Sequence, residues 1–169
     1  MYELKSNKKS LESQKIIYKA LRRILLTKQL NEVTVKDVCS ECGVSRTTFY
    51  RNFCNVTDVL AVMLEFFFND YLRKRVEKNN QLLFFFEYWY YHRDLITIIT
   101  KQNESILKDC MQRHFTNDDN NIYLNNLKFS ILSSLLSTWS KSKKETPREM
   151  EEITREIMNK RCLELLLEF

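Results

Sequence analysis

Turn-forming residues are almost absent from this chain of 169 residues, which contains one glycine and one proline. Small β-sheets need tight turns that usually require glycine, so the composition predicts an all-α protein. A single glycine also excludes a glycine-rich phosphate loop. No apolar run approaches the roughly 20 residues of a membrane-spanning helix, so we expect no membrane partner.

Catalytic groups are scarce as well. His92 and His114 are the only histidines, and no serine or cysteine has a recognisable base beside it. The adjacent carboxylates Glu151 and Glu152 are expected on an exposed helix face. We therefore expect no catalytic residue and no enzyme activity.

Signals for secretion are also missing. Residues 1–10 are polar and rich in lysine, and no apolar segment typical of a signal peptide follows them. Five cysteines, an odd number without the spacing of a disulfide framework, are typical of a reducing compartment. We expect a cytoplasmic protein whose residues 1–9 form a mobile basic arm.

Two cysteine pairs have spacings that occur in metal sites. Cys39 and Cys42 lie on a predicted helix, where small buried hydrophobic residues are the favoured interpretation. Cys110 and His114 are four residues apart on one helical face, which permits two metal ligands. Because the sequence offers no obvious third and fourth ligand, we expect no metal and no cofactor.

What the chain does contain is a helix-turn-helix pattern from Thr34 to Phe53. Thr34 and Asp37 have the spacing of a capping box, which predicts a helix that starts at Val35. That helix must end at Gly43, because glycine enters the left-handed backbone region without a steric penalty.

A second short helix is predicted after this turn. Ser45 can cap it, and it should extend from Arg46 to Asn52. The apolar positions that would pack the two helices crosswise are Val38, Val44, Phe49 and Phe53. Side chains rich in donors for phosphates and bases face outward, namely Arg46, Thr47, Thr48, Tyr50 and Arg51.

Positive charge is concentrated in the same part of the chain. Residues 1–56 contain 11 Lys and Arg against 5 Asp and Glu, a balance of +6. Residues 57–169 contain 16 against 17, a balance of −1. A basic excess confined to residues 1–56, the part that contains the helix-turn-helix, indicates that this part alone contacts a polyanion.

The stretch VTVKDVCSECGVSRTTFYRNF, residues 33–53, resembles the DNA-binding signature of the TetR/AcrR family of bacterial transcriptional regulators. The matching features are the start at Thr34, the turn at Gly43 to Ser45, the Phe49-Tyr50 pair and Phe53. The resemblance covers residues 11–60. It implies a three-helix DNA-binding domain at residues 1–56 and a helical ligand-binding and dimerisation domain at residues 57–169.

The resemblance also implies which residues contact a palindromic operator in double-stranded DNA. The residues expected in the major groove are Ser45, Arg46, Thr47 and Thr48. The residues expected on phosphates are Thr34, Lys36, Tyr50 and Arg51. Arg46 is the best candidate for a bidentate contact with guanine.

One position departs from the family pattern. Val56 stands where the family usually has a lysine that holds a phosphate. That contact is either lost or taken over by Asn52, Asn55 or Thr57.

Apolar periodicity predicts about nine helices in all. The helix before the helix-turn-helix should be capped by Ser10 and extend to about Lys28, with Ile16 among its inward residues. A long helix should follow from about Asp58 to Lys78, and in the family the corresponding helix links the DNA reader to the regulatory core. Shorter helices are predicted at residues 95–100 and 105–115, before a polar loop at residues 116–121.

An aromatic run from Phe84 to Tyr91, interrupted by Glu87 alone, favours a helix buried inside a bundle. Its rings either form solid core, the favoured interpretation, or wall a pocket for a small apolar or aromatic effector. The candidate pocket residues are Phe67, Tyr71, Phe85, Tyr88, Trp89, Leu107 and Met111. This region is similar to the short regulatory domain of TetR-type proteins from Firmicutes.

Two amphipathic helices close the chain. They are predicted at residues 122–140 and from Pro147 to the end, the second after a Thr146/Glu149 capping box. In the family such a pair joins that of a second subunit in a four-helix bundle, which implies a homodimer. The candidate dimerisation residues are Leu124, Leu127, Ile131, Leu135, Ile153, Ile157 and Leu165.

Three functional hypotheses follow. The first is a dimeric TetR-like repressor that leaves its operator when a small molecule binds. The second is a TetR-like co-regulator that acts through a protein partner without binding an operator, and Val56 is its main support. The third is a regulator that responds to a metal or to thiol oxidation.

Overall fold

The computed structural model describes residues 8–115, 122–142 and 144–159, and this part of the chain is all-α, as predicted. It contains a short 3₁₀ turn at Leu30–Glu32 and no strand. Its nine α-helices are α1 (Lys8–Ile24), α2 (Val35–Cys42), α3 (Arg46–Asn52), α4 (Val56–Arg75), α5 (Gln81–Tyr91), α6 (Arg93–Gln102), α7 (Glu104–Phe115), α8 (Ile122–Ser142) and α9 (Pro147–Ile157). The predicted arm at residues 1–9 is wrong for Lys8 and Lys9, which belong to α1. Residues 1–7 of that arm, the predicted loop at 116–121 and the chain from 160, with Leu165, lie outside the described residues.

Local capping fixes both ends of α2. The Thr34 hydroxyl accepts from the Asp37 amide at 3.2 Å, and the Asp37 carboxylate accepts from the Thr34 amide at 2.9 Å. At the other end Gly43 has φ +70°, and its amide donates to the Cys39 carbonyl at 2.9 Å. The predicted capping box and glycine turn are confirmed, so hydrogen bonds between residues close in sequence define both ends of α2.

The core of the N-terminal helices lies between α1, α2 and α3. Val38 and Phe49 are fully buried, Phe53 nearly so, and Ile17 and Leu21 of α1 are buried in the same cluster. Phenylalanine rings of this kind bury a large apolar area and dominate small cores. The inner face of α3 is therefore anchored, and its opposite face is left to solvent.

Helix α1 differs from its prediction. It already includes Lys8 and ends at Ile24, so Ser10 is not its N-cap and Lys28 is not its last residue. The Ser10 hydroxyl instead donates to Asn52 Oδ1 at 2.5 Å, which ties α1 to the end of α3. Ile16, predicted to face inward, is exposed because the buried stripe of the helix runs through its neighbour Ile17.

Helix α4 begins two residues earlier than predicted and ends at Arg75 instead of Lys78. The side chain of Asn55 caps it by accepting from the Asp58 amide at 2.9 Å. Asp58, predicted to start the helix, accepts from the amide of Cys54, the residue before the cap, at 2.9 Å. The helix therefore starts at Val56, directly after its cap Asn55, and not at Asp58.

The C-terminal helices form a bundle around α4. Helix α5 packs against α4 and α9, while α8 packs against α6 and α7. Trp89 of α5 and Trp139 of α8 are fully buried, and the Trp139 indole donates to the Glu145 carbonyl at 2.8 Å. The Thr146/Glu149 capping box and Pro147 at the first position of α9 are confirmed.

Two polar contacts join the N-terminal helices to the bundle. Arg22 of α1 pairs with Asp94 of α6 at 2.5 Å, and the Leu30 amide donates to the Gln102 side chain at 2.9 Å. Buried apolar residues also lie on both sides of residue 56, so a domain boundary there stays a prediction. No helix within the described ranges has the length and apolar character to cross a bilayer.

Candidate nucleic-acid interface

The outer face of α3 is exposed along its length. Arg46, Thr47 and Arg51 are exposed, and Tyr50 is 58% exposed beside the fully buried Phe49. The rings of Phe49 and Tyr50 meet edge to face with centroids 5.6 Å apart. The buried ring thus positions a helix whose cations and hydroxyls point away from the protein, and their contact with DNA stays a prediction.

Two of the predicted base-contacting hydroxyls have a structural task. The Ser45 hydroxyl accepts from the Thr48 amide at 3.1 Å and lies 3.0 Å from the Thr48 hydroxyl, so together they cap α3. Ser45 is exposed and Thr48 is half-buried. Each hydroxyl still has capacity for a further hydrogen bond, because a hydroxyl has one donor and two lone pairs.

The acidic groups of the helix-turn-helix are neutralised locally. Glu41 accepts from Arg23 at 2.6 Å, and Asp37 lies 3.9 Å from the Lys28 ammonium. Hydrogen bonds from the Thr34 amide and hydroxyl hold the pKa of Asp37 below its usual value. Because each of these carboxylates lies near a cation, they reduce the positive potential at the outer face of α3 less than two unpaired carboxylates would.

A shallow depression separates α2 from α3. It is lined by side chains that include Lys36, Ser40, Ser45 and Arg46. Lys36 is exposed at its edge, as is Thr34 at the start of α2. One predicted phosphate-contacting residue, Lys36, thus borders the same depression as two predicted base-contacting residues, Ser45 and Arg46.

The residue at the position of the missing lysine is buried. Val56 is buried as the first residue of α4, where it packs in the apolar cluster with Phe53. Asn52 already accepts from Ser10 and donates to the Thr48 carbonyl at 2.8 Å. Of the three proposed substitutes, Asn55 retains a free amide group after capping α4, and Thr57 is partly exposed.

The candidate effector-pocket residues pack against one another. Tyr71 contacts Phe85 and Tyr88 with ring centroids 5.7 and 5.5 Å apart, and Trp89 lies 5.3 Å from Tyr88. All seven are buried except Phe67, which is partly buried. An open groove of about 600 Å³ lies at their outer edge, between Lys74, Tyr88, Tyr90, Tyr91 and Pro147. The pocket assignment stays a prediction.

The candidate dimerisation residues are incompletely covered in the single chain. Leu127 is 44% exposed on α8. Those that are half-buried are Ile131, Leu135, Ile153 and Ile157. The side chain of Leu124 and the whole of Leu165 are outside the described part of the structure.

Sequence reasoning missed a polar cluster inside the bundle. Glu65 of α4 is buried, and its two carboxylate oxygens contact Arg113 and His114 of α7. The Cys110 thiol completes the cluster, and the ligand atoms of Glu65, Cys110 and His114 all lie within 4.8 Å of one another. The sequence showed the Cys110–His114 spacing, but Glu65 lies 49 positions from His114 and left no local signal.

Charge is shared across this cluster. Burial raises the pKa of Glu65, but hydrogen bonds with His114 and Arg113 outweigh it and hold the pKa below its usual value. Burial raises the pKa of the Cys110 thiol, and the adjacent Glu65 carboxylate raises it further. The cluster thus consists of an anionic carboxylate, Glu65, that is hydrogen-bonded to Arg113 and His114 and lies beside a neutral thiol, Cys110.

Comparison with known proteins gives a fold and no sequence family. No protein-family profile matches the chain, and no curated protein sequence matches it. Among solved structures, Lin0861 from Listeria innocua is 19% identical with a TM-score of 0.80, over 91% of this chain and 93% of that one.

Two further solved structures carry functional names. One is a putative TetR-family transcriptional regulator from Syntrophomonas wolfei, with a TM-score of 0.62 and 18% identity over 85% of this chain and 91% of that one. The other is the fatty acid degradation regulator FadR from Bacillus halodurans, with a TM-score of 0.58 and 15% identity over 91% and 96%. The chain has a TetR-like fold.

Proposed function

We propose that the chain is a dimeric, DNA-binding transcriptional regulator, a repressor that binds a palindromic operator and is released by a small effector. The observation that carries this proposal is the outer face of α3, where Arg46, Thr47 and Tyr50 are exposed directly opposite the buried Phe49. A helix anchored by one face and rich in donors on the other suits insertion into a major groove.

Charge distribution supports the same assignment. The balance is +6 in residues 1–56, the part of the chain that contains the helix-turn-helix, against −1 in the remainder. Duplex DNA attracts such a surface through release of condensed counterions. Arg46 at the start of α3 supplies the planar fork that recognises guanine, and Lys36 supplies a cation near the backbone.

A dimer meets a geometric need of this mechanism. Two recognition helices that read a palindrome must reach successive major grooves about 34 Å apart. The half-buried aliphatic side chains of α8 and α9 offer an apolar face for a two-fold interface. We infer that a second copy of this chain covers Leu127 and Ile153.

Effector release requires a mechanical link, and α4 supplies it. The helix starts three residues after Phe53 of the helix-turn-helix core and continues as the centre of the bundle. An effector that favours one orientation of α4 would change the separation of the two α3 helices and so the affinity for DNA. We expect the effector to bind in the bundle, next to α4.

Selection of duplexes from a random library with the full chain tests the proposal. We expect the selected sequences to share a palindrome with half-sites one helical turn apart. Sedimentation of the complex should show two chains per duplex, and the selected site, placed within a promoter, should lower reporter expression when the chain is present. Enrichment of no sequence would contradict operator binding, and increased expression would contradict the repressor assignment.

A second candidate function is a co-regulator that acts through a protein partner. The burial of Val56 favours it, because this side chain cannot replace the family's phosphate-binding lysine. Titration of a duplex at increasing salt separates the two candidates. Affinity that falls steeply with salt, as several released counterions require, supports operator binding. Affinity too weak to measure at low salt supports the co-regulator.

A further inference from the structure

The Glu65 cluster has the composition of a metal site. It brings together a carboxylate from α4 and, from one face of α7, a thiol and an imidazole four residues apart. Cys110 is 1% exposed, Glu65 is 8% exposed and the His114 side chain is 16% exposed, so bulk water competes little for these ligand atoms. Thiolate, imidazole and carboxylate are the three side-chain ligands that Zn²⁺ accepts.

The distances within the cluster are close to those of a coordinated cation. With metal–ligand lengths of about 2.0 to 2.3 Å, tetrahedral geometry separates ligand atoms by about 3.3 to 3.6 Å. Glu65 Oε2 lies 2.6 Å from His114 Nε2, and no pair among the three ligand atoms exceeds 4.8 Å. Side-chain movements of about 1 Å therefore suffice to bring each pair of ligand atoms to the separation that tetrahedral coordination requires.

The surroundings hold the ligands in place. The ring of Phe68 stacks on that of His114 with centroids 5.6 Å apart and planes 2° from parallel, which fixes the orientation of the imidazole. Arg113 donates from Nε to Glu65 Oε1 at 2.9 Å. Its side chain is 46% exposed, so it can withdraw into solvent when a cation takes over the neutralisation of Glu65.

We propose that Glu65, Cys110 and His114 bind one thiophilic divalent cation of the Zn²⁺ class, with water as the fourth ligand, and that this cation is the effector. Binding releases the thiol proton to solvent as sulfur becomes a metal ligand. Hard cations such as Mg²⁺ and Ca²⁺ are disfavoured because they require oxygen ligands. The effector is then a metal ion and not the apolar molecule that the aromatic run suggested.

The position of the cluster gives the cation a route to DNA. Glu65 lies in the middle of α4, whose first residue, Val56, is buried in the apolar cluster that includes Phe53 of the helix-turn-helix core. A cation bound between α4 and α7 replaces an ion pair with bonds that tolerate little displacement, so it fixes α4 in one orientation. This regulatory half of the inference rests on the proposed function, whereas cation binding itself does not.

Titration of the metal-free full chain with Co²⁺ and Zn²⁺ tests the site without any DNA. We expect one equivalent of Co²⁺ to bind per chain, with the near-ultraviolet charge-transfer absorption of a cobalt–thiolate bond and the visible spectrum of a tetrahedral ion. Equimolar Zn²⁺ should displace it, and excess Mg²⁺ should not. Absence of binding, or binding without the thiolate band, overturns the proposal.

Variants locate the site within the chain. Cys110→Ser and His114→Gln keep the size and hydrogen-bonding capacity of each side chain, and we expect each to lower Co²⁺ affinity at least tenfold. Cys54→Ser removes an exposed thiol outside the cluster and should bind as the wild type does. Helical content by circular dichroism, recorded without metal, identifies a variant that fails to fold. Zn²⁺ should also raise the melting temperature of the wild type and of Cys54→Ser alone among these four proteins.

DNA affinity with and without Zn²⁺ tests the regulatory half. We expect Zn²⁺ to lower the affinity of the wild type for its selected duplex at least fivefold and to leave that of Cys110→Ser unchanged, and a rise in affinity would contradict release by the cation. If the cation binds and DNA affinity does not change, the cation is not the effector, but the metal site itself is supported. Cation binding by a chain that binds no duplex, with or without metal, would contradict the proposed function and leave the metal site in place.

Discussion

Polar residues have different roles in helices α2 and α3 and in the bundle that follows them. In α2 and α3 they cap helix ends or face solvent, as Thr34 and Arg46 do. In the bundle a carboxylate, an imidazole and a thiol meet inside, at Glu65, His114 and Cys110. We propose that the first region offers its polar groups to DNA and that the second uses them to bind a cation.

The two regions also differ in what specifies them. The N-terminal helices are defined by signals three or four residues apart, such as the Thr34/Asp37 box. The bundle depends on contacts between distant positions, such as Phe86 with Trp139 at 5.5 Å. Changes to the first region should therefore act on recognition, and changes to the second on stability, assembly and regulation.

The largest expected effect distinguishes the buried face of α3, at Phe49, from its exposed face, at Tyr50. Phe49→Ala removes a fully buried ring, and we expect it to lower the free energy of unfolding by about 3 to 5 kcal/mol. Tyr50→Ala, at the exposed neighbouring position, should cost about 1 kcal/mol or less. Urea denaturation measures both, and equal losses would contradict the two-faced description of the helix.

Assembly should depend on the bundle alone. Leu127→Arg places a charge on the partly exposed face of α8, and we expect it to yield monomers and to weaken operator binding about 100-fold. Val76→Arg, at a 77% exposed position after α4, is the matched control and should remain dimeric. Sedimentation and anisotropy follow the two effects. A dimeric Leu127→Arg chain would place the interface elsewhere.

Acid sensitivity should originate in the Glu65 cluster. The pKa of Glu65 is lower in the folded chain than its ordinary value of about 4.3. Its stabilising contribution is therefore complete above that ordinary value and is lost as pH falls through the lower, folded value.

Glu65→Gln should remove this part of the acid dependence and cost about 1 to 3 kcal/mol at neutral pH. Denaturation from pH 7 to pH 3 with chelator present gives the comparison. Glu12→Gln, on the exposed side of α1, is the control. Parallel profiles for the wild type and Glu65→Gln would show that the carboxylate is not the source.

The smallest expected effect compares the two capping boxes. Thr34→Ala and Thr146→Ala each remove a hydroxyl that caps a helix, and each should cost about 1 kcal/mol of stability. Only Thr34→Ala should also weaken DNA binding, because Thr34 is a predicted phosphate contact and Thr146 is not. Thermal unfolding and anisotropy on both variants test this, and equal loss of DNA affinity would refute the division of roles.

The sequence alone predicted most of α2 and α3 correctly, because the residues that determine the ends of these helices are close together in the chain. The cap at Thr34, the left-handed turn at Gly43 and the bounds of α3 are confirmed at the predicted residues. The same reasoning was wrong for Ser10, because α1 continues past it toward the N-terminus. A cap predicted from one hydroxyl residue is weak when the preceding residues also favour a helix.

In the bundle the sequence indicated helices and an aromatic core, but not which polar groups meet. Cys110 and His114 were recognisable as a pair, whereas Glu65 reads as an ordinary polar residue of a long helix. Only the packing of α4 against α7 brings the three together. A site assembled from two helices leaves no periodic pattern in either.

The most direct test of DNA reading by α3 is the affinity for the selected duplex and for a scrambled duplex, measured over a range of salt with the wild type, Arg46→Ala and Arg148→Ala. Both variants lose one exposed positive charge, but Arg148 lies on α9. We predict that Arg46→Ala loses about 1 to 3 kcal/mol on the selected duplex and with it the preference over the scrambled one, while Arg148→Ala keeps both. If Arg46→Ala binds the two duplexes as the wild type does, α3 does not read the operator.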